Sequence, residues 1–473
     1  MKSIVAAIIA LAMLVSAAVA WPCTAPCIPT GDNVIRQTNG QNAVGGSEDW
    51  GKIYQYETNT AFVVGEGNKV TQDNTQKAFA YGDDSDIYQY AKSCALIIGD
   101  DNTVKQTNWA RAWQGDTSSC YDDDNCIKQD QNNLAAICGD GNKATQSNTA
   151  RAYTDDDDEW DSVKHSEINQ LQKNSLMQIG NGNKATQTNK AVGKLLNGYN
   201  VEIDQDQFNC GVQLSNGKEL GNTMTQTNDA FAKIDDAEDC DDNVDQYQKN
   251  SGMQIGSGNK LVQDNKARAL LEASNDYSDQ WQNNLALEIG YENVVKQNNF
   301  AKATMMGTHD VVKQNEKNIA LVVGAYNKVT QSNSQKAVTD PYTCGCGSKD
   351  EIDQTAKNMA LVVGGGRYKN DEIGNTVVQT NDQVATQECK WLTSEPIEQN
   401  AKNLAVVISK SCFNKVDCPT CNDPRYTVPT TCTKCVTYPD LTIPDVDSPP
   451  VLWPGCCYND IDLGDVCPPG GCR

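Results

Sequence analysis

Between residues 259 and 269 the chain alternates without a break. Asn259, Leu261, Gln263, Asn265, Ala267 and Ala269 are small, apolar or uncharged amides, and Lys260, Val262, Asp264, Lys266 and Arg268 lie between them. A period of two over that length predicts a β-strand with a compact inner face and a charged outer one. The same register holds over residues 102–112 and 142–152. A second strand is predicted further on, at Leu285-Ala-Leu287-Glu-Ile289 and Ile319-Ala-Leu321-Val-Val323. Its bulky residues fall at odd offsets from the preceding Gln280 and Gln314, so the pattern predicts a switch of inward parity near the intervening Asn, with a corner or bulge there. Gly180-Asn-Gly182-Asn183 and Gly256-Ser-Gly258-Asn259 predict a second corner, where Gly supplies positive φ.

These strands recur. Asn-x3-Gln-x-Asn occurs ten times, from Asn33/Gln37/Asn39 to Asn375/Gln379/Asn381, and a second element, Gln-x3-Asn, lies between copies. Only Gln89 lacks its Asn, with Ser93 in that place. The shortest spacing is 34 residues, as from Gln246 to Gln280. A fixed period of this size predicts an all-β fold, a β-solenoid (β-arch or β-helix) of about ten stacked coils. At about 4.8 Å per coil the rod would be about 45–50 Å long. Inside it, identical amides would stack as ladders, through Gln72, Gln106, Gln146, Gln187, Gln226, Gln263, Gln297 and Gln331, and through Asn148, Asn189 and Asn265.

The chain ends change the picture. Residues 1–20 combine Lys2, an apolar run from Ile4 to Val15 and small residues closing on Ala20, the pattern of a cleavable secretory signal. No later segment approaches the apolar length of a membrane span. The reading divides the chain into the signal, a Cys-containing segment at 21–32, solenoid repeats at 33–410 and a disulfide-rich C-terminal module at 411–473. A net charge of −23 disfavours nucleic acid and favours cations or further copies of the chain as partners. The two histidines, His165 and His309, leave little material for acid-base catalysis, and both read as loop residues.

Twenty cysteines in an exported chain read as disulfides. The candidates are Cys23 and Cys27 at the start, Cys120, Cys126, Cys344 and Cys346 in insertions, and Cys418, Cys421, Cys432, Cys435, Cys456 and Cys457 in the tail. The Cys418/Cys421 and Cys432/Cys435 spacing also fits a zinc ribbon, a reading that export disfavours. Acidic runs collect in insertions: Asp122, Asp123 and Asp124, and Asp155, Asp156, Asp157 and Asp158. Such edges call for counter-ions or a basic partner, and Ca²⁺ bridging is a candidate, although no complete calcium-binding loop is present. Apart from that no cofactor is expected. Lys173, Lys249, Lys317, Lys357 and Lys402 read as basic corners that could dock such an edge. Val63, Ile97, Val322, Val362 and Val407 read as an apolar outer face near the ends of the rod, against Gln178, Gln254 and Glu288 in the middle.

Gln178-Ile-Gly180-Asn-Gly182-Asn183-Lys-Ala-Thr-Gln187 and Gln254-Ile-Gly256-Ser-Gly258-Asn259-Lys-Leu-Val-Gln263 resemble the curlin repeats of bacterial functional amyloid. With the signal segment, the cysteine load and the Cys/Pro-rich tail, the chain also resembles the sheath or hoop proteins that form tubes around some filamentous methanogenic archaea. The resemblance implies amyloid-like stacking and a role outside the cell. The expected function is that of a structural subunit, secreted to the cell surface or wall, that assembles with itself through edge stacking and disulfides into a sheath, wall layer or fibre. The competing reading is a secreted adhesin or ligand-binding solenoid, for which Trp109, Trp113, Trp160 and Trp281 could supply a patch. An enzyme is not expected, because departures from the repeat are insertions and bring no new chemistry.

Overall fold

The computed structural model describes residues 34–49, 52–83, 85–115, 125–155, 163–164, 166–196, 198–199, 201–215, 221–235, 242–272, 275–306, 309–339, 350–364, 375–387 and 397–408. The expected signal, the N-terminal cysteines, the C-terminal module and most insertions lie outside these residues.

Among the described residues every regular element is a strand. One sheet contains β1 (Val34–Asp49), β3 (Lys69–Asp83), β5 (Thr103–Gly115), β7 (Lys143–Asp155), β10 (Lys184–Leu196), β13 (Thr223–Asp235), β15 (Lys260–Leu271), β17 (Val294–Met305), β19 (Lys328–Thr339) and β21 (Thr376–Gln387). The other contains β2 (Lys52–Val64), β4 (Asp86–Ile98), β6 (Asn125–Cys138), β9 (Ser166–Ile179), β12 (Glu202–Leu214), β14 (Asn243–Ile255), β16 (Tyr277–Ile289), β18 (Val311–Val323), β20 (Glu351–Val363) and β22 (Ile397–Ile408). A short pair, β8 (Val163–Lys164) with β11 (Gly198–Tyr199), joins two neighbouring connections.

The chain alternates between the two ten-stranded sheets, so each coil is one strand from each, and all pairings are parallel. The fold is the β-solenoid that the repeat predicts. Register follows the motif: Gln187 lies between Gln146 and Gln226, and Asn189 between Asn148 and Asn228. A one-residue slip would turn every amide outward, which is why an alternating sequence fixes the register so firmly.

The expected parity switch is corrected. In β16 and β18 the inward residues keep even offsets from Gln280 and Gln314 to the end of the strand, with burial alternating throughout. Each is one uninterrupted 13-residue strand with no corner at the Asn. Ala286 and Glu288 point inward, and Leu285 and Leu287 lie on the half-buried outer face. The apolar outer face is corrected with it: Val63, Ile97, Val322 and Val362 are buried in the core, and only Val407, on the last strand, is substantially exposed.

In cross-section the core has three zones. Apolar residues fill both ends of the coil, one column running through Ile87, Ile127, Ile168 and Ile203 with Ala112 and Ala152 facing them. The other runs through Val70, Val104, Ala144 and Ala185, with Ala95 and Ala135. Between them lie the Gln and Asn rows. At the turn Gly180 and Gly182 have φ of 132° and 67°, as the sequence predicts. The turns stack so closely that a Cβ on Gly180 would lie 2.0 Å from the Gly139 carbonyl oxygen.

Candidate functional surfaces and buried amide ladders

The inward glutamines of the first sheet form one hydrogen-bonded row. Nε2 of each donates to Oε1 of its counterpart one coil earlier, from Gln379 back to Gln37, in nine bonds of 2.8–2.9 Å. A matching row in the second sheet runs from Gln399 back to Gln55. The second amide hydrogen crosses the core: Gln226 also donates to the Ser251 carbonyl at 2.9 Å. The asparagine rows run the opposite way. Asn148 Nδ2 donates forward to Asn189 and Asn228 Nδ2 forward to Asn265. Where Ser93 replaces Asn, its hydroxyl takes part in the row with Asn74 and Asn108.

Two shorter glutamine rows end on a carboxyl. Gln254 donates to Gln213 and Gln213 to Gln178, and the next position is Glu288. Gln282, Gln248, Gln207, Gln172 and Gln131 form the other, followed by Glu316. Glu288 and Glu316 are fully buried, and burial holds both carboxyls well above the usual range. No donor reaches Oε1 of Gln254 or Gln282. The register sets each carboxyl beside such an oxygen, where a neutral carboxyl has an O–H to donate and a carboxylate would set acceptor against acceptor. Glu57, in the same row position near the other end, is pushed up to about 7 by burial.

On the outer face of the second sheet, oxygens of Glu202, Asp204 and Asp245 lie within 4.8 Å of one another. Burial, and after it the charges of Glu202 and Asp245, push Asp204 up to about 7. Such an oxygen set can hold a hard divalent cation or share protons. Sequence reasoning missed it because the group spans two coils, Glu202 and Asp204 on β12 and Asp245 on β14. The signal was Glu-x-Asp before Gln205, with Asp at the matching position before Gln246.

Of the expected calcium candidates, Asp155 ends β7, and Asp122, Asp123, Asp124, Asp156, Asp157 and Asp158 lie outside the described residues. Lys317, Lys357 and Lys402 sit in register on the outer face of strands, not at corners. Trp109, Trp113 and Trp281 are also outward strand residues, and Trp160 lies outside the described residues. Tyr54 stacks on Tyr88 at 4.9 Å between ring centroids and Tyr56 on Tyr90 at 5.0 Å, and Tyr54 and Tyr56 are exposed. Cys126, at the start of β6, has a free thiol, as do Cys94 and Cys138. The other disulfide candidates lie outside the described residues. No helix among the described residues is long and apolar enough to cross a membrane. Comparison with protein-family models, curated proteins and solved structures gave no match.

Proposed function

We propose that the chain is a structural subunit that assembles with itself, by edge stacking and disulfides, into an extracellular sheath, wall layer or amyloid-like fibre, and that it has no catalytic role. One observation carries this reading: among the described residues, both sheets end on a strand with one unpaired edge. Among the described residues nothing pairs with the outer edges of β1, β2, β21 and β22. Gln37 and Gln379 are partly exposed and Gln399 is exposed there, whereas Gln55 of β2 and the interior counterparts are buried. An open parallel edge with a regular side-chain row is a template for further strands. The function is mechanical: backbone and amide ladders resist solvent and protease, disulfides lock neighbours, and acidic loops hold water and cations.

The test is sedimentation and gel mobility of the full chain with and without reductant. Large species released to single chains only by reductant support the reading, and a single chain under both conditions contradicts it. The second reading, a secreted ligand-binding solenoid, draws on the exposed Tyr54 and Tyr56. A single chain that binds saccharide and loses that binding in Tyr54→Ala would favour it.

A further inference from the structure

We propose that copies of the chain join in one polarity and one register, the β21/β22 end of one seated on the β1/β2 end of the next. This deepens the self-assembly reading and rests on it.

The first observation is the direction of the ladders. Glutamine rows donate toward earlier coils and asparagine rows toward later ones. Among the described residues the β1/β2 end therefore presents the amide N–H of Gln37 and the Oδ1 of Asn39 along the axis, with Gln55 buried behind them. The β21/β22 end presents Oε1 of Gln379 and Gln399 and the N–H of Asn381 and Asn403. Unlike ends match donor to acceptor. Like ends would set donor on donor and acceptor on acceptor, leaving polar groups buried without partners.

The second observation is a row that occurs only at the ends. Four residues after the ladder glutamine of the first sheet, the inward position is Gln41 and Gln76 in the first two coils and Gln335 and Gln383 in the last two. In the six coils between it is Ala110, Ala150, Ala191, Ala230, Ala267 and Ala301. Gln383 Nε2 donates to Gln335 Oε1 at 2.8 Å, and Gln41 and Gln76 lie in register at the other end, donating across the core to the Tyr56 and Tyr90 carbonyls respectively. Stacking a second copy in register brings its Gln41 onto Gln383, so two half-rows become one row of four glutamines. The buried position eight residues after the second-sheet glutamine agrees. It is apolar in the end coils, at Val63, Ile97, Val322 and Val362, and polar in the middle, at Gln178 and Gln254, so the joint sets Val407 on Val63.

The test uses full chains carrying Gln41→Lys or Gln383→Lys, each of which puts a charge into one half of the joint only. Size is read by light scattering, and retention of the fold by circular dichroism. The wild-type chain is expected to polymerise, each variant to stay single on its own, and an equal mixture to form dimers and nothing larger. A dimer formed by either variant alone overturns the polarity. Polymers of wild-type length from both variants overturn the joint while leaving self-assembly standing, and a wild-type chain that stays single overturns the self-assembly reading itself. Should a lysine variant lose its β-sheet signal, Gln41→Ala and Gln383→Ala remove one rung each and are expected to slow elongation about tenfold. Elongation at the wild-type rate would overturn the joint.

Discussion

A primary amide has two N–H donors, and the interior glutamines of the two long rows use both. Gln226 sends one along the rod to Gln187 at 2.8 Å and one across it to the Ser251 carbonyl. The row positions were legible because Asn-x3-Gln-x-Asn repeats without exception. The carboxyls that end two rows were not, because Glu288 reads as outward once the parity is misplaced. Their effect on stability has a definite sign. A folded-state pKa raised above the unfolded value gives stability that is full below the ordinary carboxylate range and is lost as pH rises through the folded value. Burial raises Glu288 and Glu316, and it raises Glu57 and Asp204 to about 7, so all four act in one direction. The solenoid should therefore resist denaturant better at pH 5 than at pH 8. Glu288→Gln with Glu316→Gln extends both rows and should raise stability at pH 8 by about 2 kcal/mol or more. Denaturation midpoints at the two pH values check this, and a flat wild-type profile would contradict it.

At the scale of the strand, the alternation was legible and its phase in the second strand was not. Leu285, Leu287 and Ile289 are the bulky aliphatic residues of β16 and read as its core face. In the structure they cover the outside, while Ala286 and Glu288 point inward. The reason is steric: the facing strands are joined across the core by side-chain amides reaching opposite carbonyls, as from Gln280 to Lys302, which leaves room for small neighbours. The turns are equally confined. Gly180→Val places a branched residue at φ 132° against the Gly139 carbonyl, and should cost about 2–4 kcal/mol. Thermal unfolding of that variant beside Asn181→Val measures it, and equal melting temperatures would contradict the account of the turn.

For the whole molecule, repeat count and spacing made the solenoid and its parallel order legible. The Glu202, Asp204 and Asp245 group was harder to foresee, because contact between coils passes through connections of unequal length, 41 residues from Glu202 to Asn243 against 34 from Asn243 to Tyr277. The terminal glutamines were visible at Gln41, Gln76, Gln335 and Gln383, yet they acquire meaning only when the strands are set in register. Among the described residues the ladders run unbroken to the first and last strands of both sheets, and the central claim is the proposal that further copies of the chain continue them. Electron microscopy of the full chain at neutral pH tests it most directly. The account predicts long assemblies with a repeat of about 4.8 Å along their axis, continuing across the boundaries between copies. Separate rods about 50 Å long at every concentration would contradict it.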